Sequence, residues 1–131
     1  MNSEELAAAL AVYADDKKAH SIVELDLRGV VDYTDFFVIC SGGSDRQVKA
    51  IHDGVHAACK SEHALVPTRV DGLARAQWVL MDYLDVIVHV FTPEVREFYA
   101  LERLWGEVPV REFGPAGLAP APELASATAA E

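Results

Sequence analysis

The fold is decided by Ala76–Trp105, which reads AQWVLMDYLDVIVHVFTPEVREFYALERLW. Apolar runs over residues 78–81 and 86–91 flank an acidic turn over residues 82–85. Two strand-forming runs joined by a short polar turn are typical of a β-hairpin. We therefore expect two strands here, in which alternate side chains lie on opposite faces of a sheet.

Three helices are predicted from their capping residues. Asn2 and Glu5 have the spacing of a capping box, and Ser44 can cap a second helix. Thr92 caps the third, with Pro93 at its first position, where a missing N–H does no harm. The helices should cover about residues 2–18, 44–60 and 92–105. The apolar side of the third consists of Val95, Phe98, Leu101 and Trp105.

Five strands are predicted from apolar runs and alternation. They cover residues 22–27, 36–40, 68–70, 78–81 and 86–91. Helices that alternate only partly with strands indicate a mixed sheet with helices packed on its faces. The expected fold class is therefore α/β, of the α+β kind, with a mixed five-stranded sheet.

A change of composition after Gly106 divides the chain. Residues 1–107 form the predicted domain, and residues 108–131 form a predicted tail. From Gly114 onward the sequence GPAGLAPAPELASATAAE is rich in Ala and Pro and has no aromatic residue. Such a segment has little apolar surface to bury, so we expect it to be disordered.

The charge of the chain restricts its partners. The 131 residues include 21 acidic and 11 basic side chains, which gives a formal net charge of −10. Proteins that bind DNA or RNA owe much of their affinity to basic side chains that neutralise phosphates. We therefore expect little direct nucleic-acid contact and favour a basic protein surface as partner. Solubility alone would also account for an acidic surface.

Cysteine usage and the N-terminus indicate the compartment. Cys40 and Cys59 stand outside any CxxC pair and in apolar stretches, so we expect buried, reduced thiols. Disulfides rarely persist in the cytosol. The first 16 residues resemble neither a signal peptide nor a transit peptide, and no apolar run is long enough to span a bilayer. These features predict a cytoplasmic protein without a membrane partner.

Two short patterns suggest catalysis or anion binding. The Ser41–Ser44 segment, SGGS, joins a predicted strand to a helix, where backbone amides can hold an anion. It lacks the lysine and the spacing of a P-loop, so we interpret it as a turn. His52 and His56 have the spacing of a zinc-binding helix, with Asp53 where a metalloprotease has glutamate. Aspartate is one methylene shorter and no third ligand stands out, so we do not favour a zinc site.

The acidic turn of the hairpin has two interpretations. Asp82 and Asp85 could bind Mg²⁺, but ligands on one face of a strand should be two residues apart. A solvated turn explains their spacing of three better. Trp78, Met81 and Tyr83 beside these carboxylates fit either core packing or a partner surface with a charged rim.

Four linked runs resemble a known family. They are TDFFVICSGGSDRQV at residues 34–48, VDG at 70–72, QWVLMDYLDVIVHVF at 77–91 and REFYALERLW at 96–105. Together they are similar to the ribosomal silencing factor family, also called the Iojap-like family. The resemblance covers about residues 3–107, in the same order and at the same spacing.

The resemblance implies a fold like that of nucleotidyltransferases, without catalysis, cofactor or metal. Family members bind protein fourteen of the large ribosomal subunit, on the face that joins the small subunit. Occupation of that site prevents the subunits from associating and represses translation when nutrients are scarce. Members commonly form homodimers when free.

Carried over to this chain, the resemblance implies a partner-binding site with an acidic rim. The matching residues are Trp78, Met81, Asp82, Tyr83 and Asp85, with Asp71 at the edge. Trp78 and Tyr83 would fill apolar pockets, and the aspartates would meet lysine or arginine. The alternative is a metal-dependent nucleotidyltransferase-like enzyme. Residues 68–71 hold only one acid where such enzymes hold a pair, and a phosphoryl-transfer site without its metal loses most of its electrostatic catalysis.

Overall fold

The computed structural model describes residues 1–119. A mixed sheet carries helices on both faces, which confirms the predicted combination of sheet and three helices. The helices are α1 Ser3–Asp16, α2 Asp45–His63 and α3 Pro93–Tyr99, and a 3₁₀ turn covers Leu101–Arg103. The strands are β1 His20–Asp26, β2 Phe36–Ser41, β3 Arg69–Asp71, β4 Trp78–Asp82, β5 Val86–Phe91, β6 Val110–Gly114 and β7 Gly117–Leu118.

The predicted helix starts are correct. Asn2 and Glu5 form a reciprocal capping box, with the Glu5 N–H donating to Asn2 Oδ1 at 2.8 Å. Ser44 Oγ accepts the N–H of Gln47 at 3.1 Å. Thr92 is the residue before α3, although its side chain makes no capping bond. The end of α3 differs from the prediction, because the chain leaves the helix at Ala100, whose φ is 47°.

The sheet runs in the order β3-β4-β5-β2-β1-β6-β7. β2 and β5 pair in parallel at its centre, and the other neighbours are antiparallel. α1 and α2 cover one face, the helix face, over a core that includes Phe36, Val38 and Val88. On the other, outer face, α3 and the segment after it pack over a second core that includes the buried Phe37, Ile39 and Phe91. Trp78 and Leu80 on this face are only half-buried, so the outer face is the less completely covered side of the sheet at β4.

The sheet has seven strands, so the prediction of five is wrong. β6 and β7 lie in residues 108–119, which the composition assigns to the tail. β6 pairs with β1, and Arg111 on β6 forms an ion pair with the buried Glu24, with Nε 2.7 Å from Oε1. Pairing with β1 and the ion pair with Glu24 stabilise this segment. Both partners are distant in the sequence, so the composition of the segment itself does not predict the strand. The rest of the predicted tail, residues 120–131, lies outside the described residues.

Candidate functional site

The side chains of β4 alternate between the two faces of the sheet, as predicted. Val79, Met81 and the following Tyr83 point to the helix face and belong to its core. Trp78 and Leu80 lie on the outer face, where they pack beside Phe91 and His89 of β5. Both outer-face residues are only half-buried. The exposed part of the hairpin is therefore its outer face.

Burial corrects the predicted site at two residues. Met81 is 0% exposed and Tyr83 is 7% exposed, so neither presents its side chain to a partner. The Tyr83 hydroxyl is buried beside Cys59, and desolvation raises its pKa above the usual range. It has no hydrogen-bond partner within residues 1–119. Alternation explains the error, because odd-numbered positions of this strand all face α2.

Trp78 is the predicted aromatic site residue that the structure leaves partly accessible. Its indole N–H donates to Nδ1 of the buried His89 at 3.0 Å. Its ring stacks on Phe91, with the ring centroids 4.9 Å apart at 30°. The ring of Tyr99 on α3 lies on it at 4.8 Å. One bond and two ring contacts therefore hold a half-buried indole in a single orientation.

Phe98 and Tyr99 are exposed aromatic residues beside Trp78 that the sequence pattern does not assign to the candidate site. Phe98 is 80% exposed and Tyr99 is 55% exposed. Their rings meet edge to face at 5.0 Å, so the two extend the contact made by Trp78. The prediction that Phe98 lies on the apolar side of a helix reaching Trp105 is wrong, because α3 ends at Tyr99. We call Trp78, Leu80, Phe98 and Tyr99 the outer aromatic surface.

The three predicted aspartates lie on β3 and at the turn of the β4–β5 hairpin. Asp71 on β3 pairs in register with Leu80, is exposed, and forms an ion pair with Arg69 at 3.0 Å. Asp82 ends β4 on the same face, and its Oδ1 accepts the N–H of Leu84 at 2.8 Å. Asp85 is exposed at the end of the hairpin turn. The three predicted aspartates are thus accessible in whole or in part. Asp71 lies beside Leu80, whereas Asp82 and Asp85 lie at the turn of the hairpin, at the opposite end of β4 from Trp78.

A glycine allows β3 to approach the start of β4. Gly72 has a φ of 86°, a conformation that favours glycine, and a Cβ built on it would meet the carbonyl oxygen of Trp78. This contact places Asp71 close to the first residue of the outer aromatic surface. The VDG run at residues 70–72 therefore has a local structural function.

The other candidate sites have simpler structural explanations. His52 is buried, and its Nδ1 lies 2.8 Å from Asp53 Oδ1. His52 and His56 have ring centroids 5.8 Å apart. Across residues 1–119, no three His, Cys, Asp or Glu side chains come together as metal ligands. The SGGS segment forms the turn into α2, where Gly42 lies against Val48 and Ile51.

The whole chain matches a known protein family. The family described as ribosomal silencing factor during starvation matches residues 1–131. The chain belongs to the ribosomal silencing factor family. A ribosomal silencing factor from Halalkalibacterium halodurans is 40% identical over 113 residues, covering 86% of this chain and 96% of that protein.

A solved structure and a more distant relative extend the comparison. A crystal structure of a protein from Chromobacterium violaceum matches with a TM-score of 0.77 at 33% identity, covering 81% of this chain and 88% of that chain. A mouse protein named mitochondrial assembly of ribosomal large subunit protein 1 is 33% identical, covering 68% of this chain and 40% of that protein. Within the part of this family member that the structure describes, no helix could cross a membrane.

Proposed function

We propose that this ribosomal silencing factor binds the large ribosomal subunit through the outer aromatic surface and thereby excludes the small subunit. The observation that carries the proposal is the exposure of Phe98, 80%, in a row of three rings that ends on Trp78. A single exposed apolar side chain is common on protein surfaces, but exposed rings in contact with one another mark interaction sites, and interface centres are rich in aromatic anchors. In the proposed site, Phe98 and Tyr99 of α3 therefore replace Met81 and Tyr83, which the resemblance implies.

Preorganisation supports binding through these rings. Contacts with Phe91, Tyr99 and His89 already order Trp78 in the free protein. Each flexible side chain that must be immobilised on binding costs roughly 0.5–1.5 kcal/mol. Aromatic side chains have few rotatable bonds, so an ordered group of three loses little. We expect truncation of one anchor to weaken binding by roughly 2–4 kcal/mol.

The charges around the surface favour a basic partner. Asp71 pairs with Leu80, Asp82 and Asp85 lie at the turn of the same hairpin, and the whole chain carries a net charge of −10. A basic ribosomal protein on the large subunit has the complementary charge, and protein fourteen of that subunit is the partner that the resemblance implies. The relative named for large-subunit assembly supports the choice of subunit. Such a partner would place the protein in the cytoplasm.

Steric exclusion needs no chemical step. A rigid domain bound where the small subunit must dock competes with it for as long as the complex lasts. The homodimer implied by the resemblance would have to leave the outer aromatic surface free or dissociate before binding. The enzymatic alternative requires metal and nucleotide, and the purified protein would then bind both.

Pelleting with isolated subunits tests the proposal. Wild-type protein should sediment with large subunits and remain in the supernatant with small subunits. Phe98→Ser should lose most of the bound fraction, because it removes an exposed ring without disturbing the core. Val12→Ser is the matched control, since Val12 is an exposed apolar residue of α1 on the opposite side of the sheet. Sedimentation with neither subunit would exclude the proposed function.

A further inference from the structure

The side chain of Arg96 joins three parts of the fold. Its Nε and Nη2 donate to Glu102 Oε2 at 3.0 and 2.7 Å. Its Nη1 donates to the Ser21 carbonyl at 2.7 Å and to Ser41 Oγ at 2.8 Å. The guanidinium therefore links α3 to the start of β1, the end of β2 and the 3₁₀ turn. Only 12% of the side chain is exposed.

Few other contacts fix the position of α3. No residue of this helix is fully buried, and its N-cap residue Thr92 makes no side-chain bond to it. Val95 is only partly buried against the outer-face core. A seven-residue helix is too short to be stable by itself and depends on tertiary contacts. The four hydrogen bonds of Arg96 are therefore a major part of what holds the helix on the sheet.

Two residues close to the acceptors of this guanidinium have a left-handed backbone conformation. Ser21 has a φ of 53° where the pairing of β1 with β2 shifts register, and its carbonyl oxygen accepts from Arg96. Ala100 has a φ of 47° and turns the chain so that Glu102 comes back to the same side chain. Non-glycine residues adopt such conformations only when surrounding contacts compensate the strain. Arg96 supplies a contact at both places.

We propose that Arg96 is the positioning residue of the outer aromatic surface. It does not touch the partner; it fixes α3 so that Tyr99 rests on Trp78 and Phe98 projects outward. Its role in partner binding rests on the proposed function. Its role in placing the rings can be measured in the free protein and does not depend on that function. Glu102 is the second member of the pair, because it accepts two of the four bonds.

Four variants of the full chain test this inference. Arg96→Met keeps the length of the side chain and removes every donor. Glu102→Ala removes one acceptor from a partly exposed position, so it serves if Arg96→Met fails to fold. Glu102→Gln is the conservative variant, because its amide oxygen can still accept. Arg103→Met is the matched control, since Arg103 is exposed in the same turn and its side chain makes no hydrogen bond in the described chain.

Two measurements separate the placement of the rings from partner binding. Nuclear Overhauser effects between the Tyr99 ring and the Trp78 indole report placement in the free protein. Pelleting with large ribosomal subunits reports binding. We expect Arg96→Met and Glu102→Ala to lose the ring-to-ring effects and to bind roughly tenfold more weakly, because two rings must then be ordered on binding. Glu102→Gln and Arg103→Met should match wild type in both.

The outcomes are distinct. Ring-to-ring effects that persist in both Arg96→Met and Glu102→Ala would overturn the inference. Loss of these effects with undiminished binding would also overturn it, because placement would then have no consequence. If wild-type protein does not pellet with large subunits, the proposed function fails, and the ring-to-ring effects still decide whether Arg96 positions the rings.

Discussion

Trp78 donates its indole N–H to Nδ1 of His89 across the β4–β5 pair, at 3.0 Å. Because Nδ1 accepts this bond, the neutral His89 carries its proton on Nε2. His89 is 3% exposed, and desolvation lowers its pKa from 6.5 to about 3. The half-buried Trp78 is thus hydrogen-bonded to a buried imidazole, which can accept this bond only while Nδ1 is unprotonated.

The stability of the protein should fall with pH in a window set by His89. Between about pH 6.5 and pH 3 the unfolded chain binds a proton on this residue and the folded protein does not. The free energy of unfolding therefore decreases as pH falls, with full stability above about pH 6.5. Lowering the pH from about 7 to about 5 should cost roughly 2 kcal/mol through this group.

Urea unfolding of His89→Asn checks that expectation. The Asn amide oxygen can accept the Trp78 N–H but does not titrate, so this variant should lose about 2 kcal/mol less than wild type over the same pH range. His20→Asn, at an exposed histidine, is the control and should follow wild type. Equal pH dependence of wild type and His89→Asn would show that His89 titrates normally in the folded protein.

Tyr83 should matter for folding and not for recognition. Tyr83→Phe removes a buried hydroxyl without a hydrogen-bond partner in the described residues, so the free energy of unfolding should change by less than about 1 kcal/mol. Binding to large subunits should be unchanged. Tyr83→Ala leaves a cavity under β4 and should cost about 3–5 kcal/mol. If Tyr83→Phe is stable but no longer binds large subunits, the Tyr83 hydroxyl takes part in binding and the prediction is wrong.

The acidic rim should make binding sensitive to salt. Asp85→Asn should weaken binding a few-fold at roughly 50 mM salt and have little effect at roughly 500 mM, because mobile ions screen exposed charges. Surface plasmon resonance on immobilised large subunits measures both affinities. Asp15→Asn on α1 removes the same charge from the opposite side and serves as control. Identical salt curves for the two variants would place Asp85 outside the interface.

The buried thiols should be inert in the native protein. Cys40 is 0% exposed, and burial raises its pKa to about 12. Only the thiolate reacts with iodoacetamide, so native protein should resist alkylation at neutral pH. Ala57→Cys adds an exposed thiol on α2 and should react at once. Rapid labelling of Cys40 without denaturant would mean that β2 opens readily.

Local signals in the sequence predict much of the fold. Asn2, Glu5 and Ser44 predict helix starts through bonds between neighbouring residues, and those bonds are present. The alternation of Trp78, Val79 and Leu80 predicts which side chains share a face, since the geometry of a strand determines it.

Features that depend on distant residues could not be predicted in this way. Strand β6 is stabilised by its pairing with β1 and by the Glu24–Arg111 ion pair, which joins residues 87 positions apart. The exposure of Phe98 follows from the end of α3 at Tyr99, where Ala100 and Arg96 turn the chain. Helical spacing alone assigns Phe98 to a buried stripe. Of the predicted site residues, Trp78 lies half-buried on the outer face, whereas Met81 and Tyr83 lie buried on the helix face.

The most direct test of the central claim is subunit joining followed by light scattering. Large subunits are incubated with increasing amounts of wild type, Phe98→Ser or Val12→Ser, and small subunits are then added. Wild type and Val12→Ser should reduce the scattering increase to the same extent, and Phe98→Ser should need at least roughly tenfold more protein. Equal inhibition by Phe98→Ser, or none by wild type, would contradict the account.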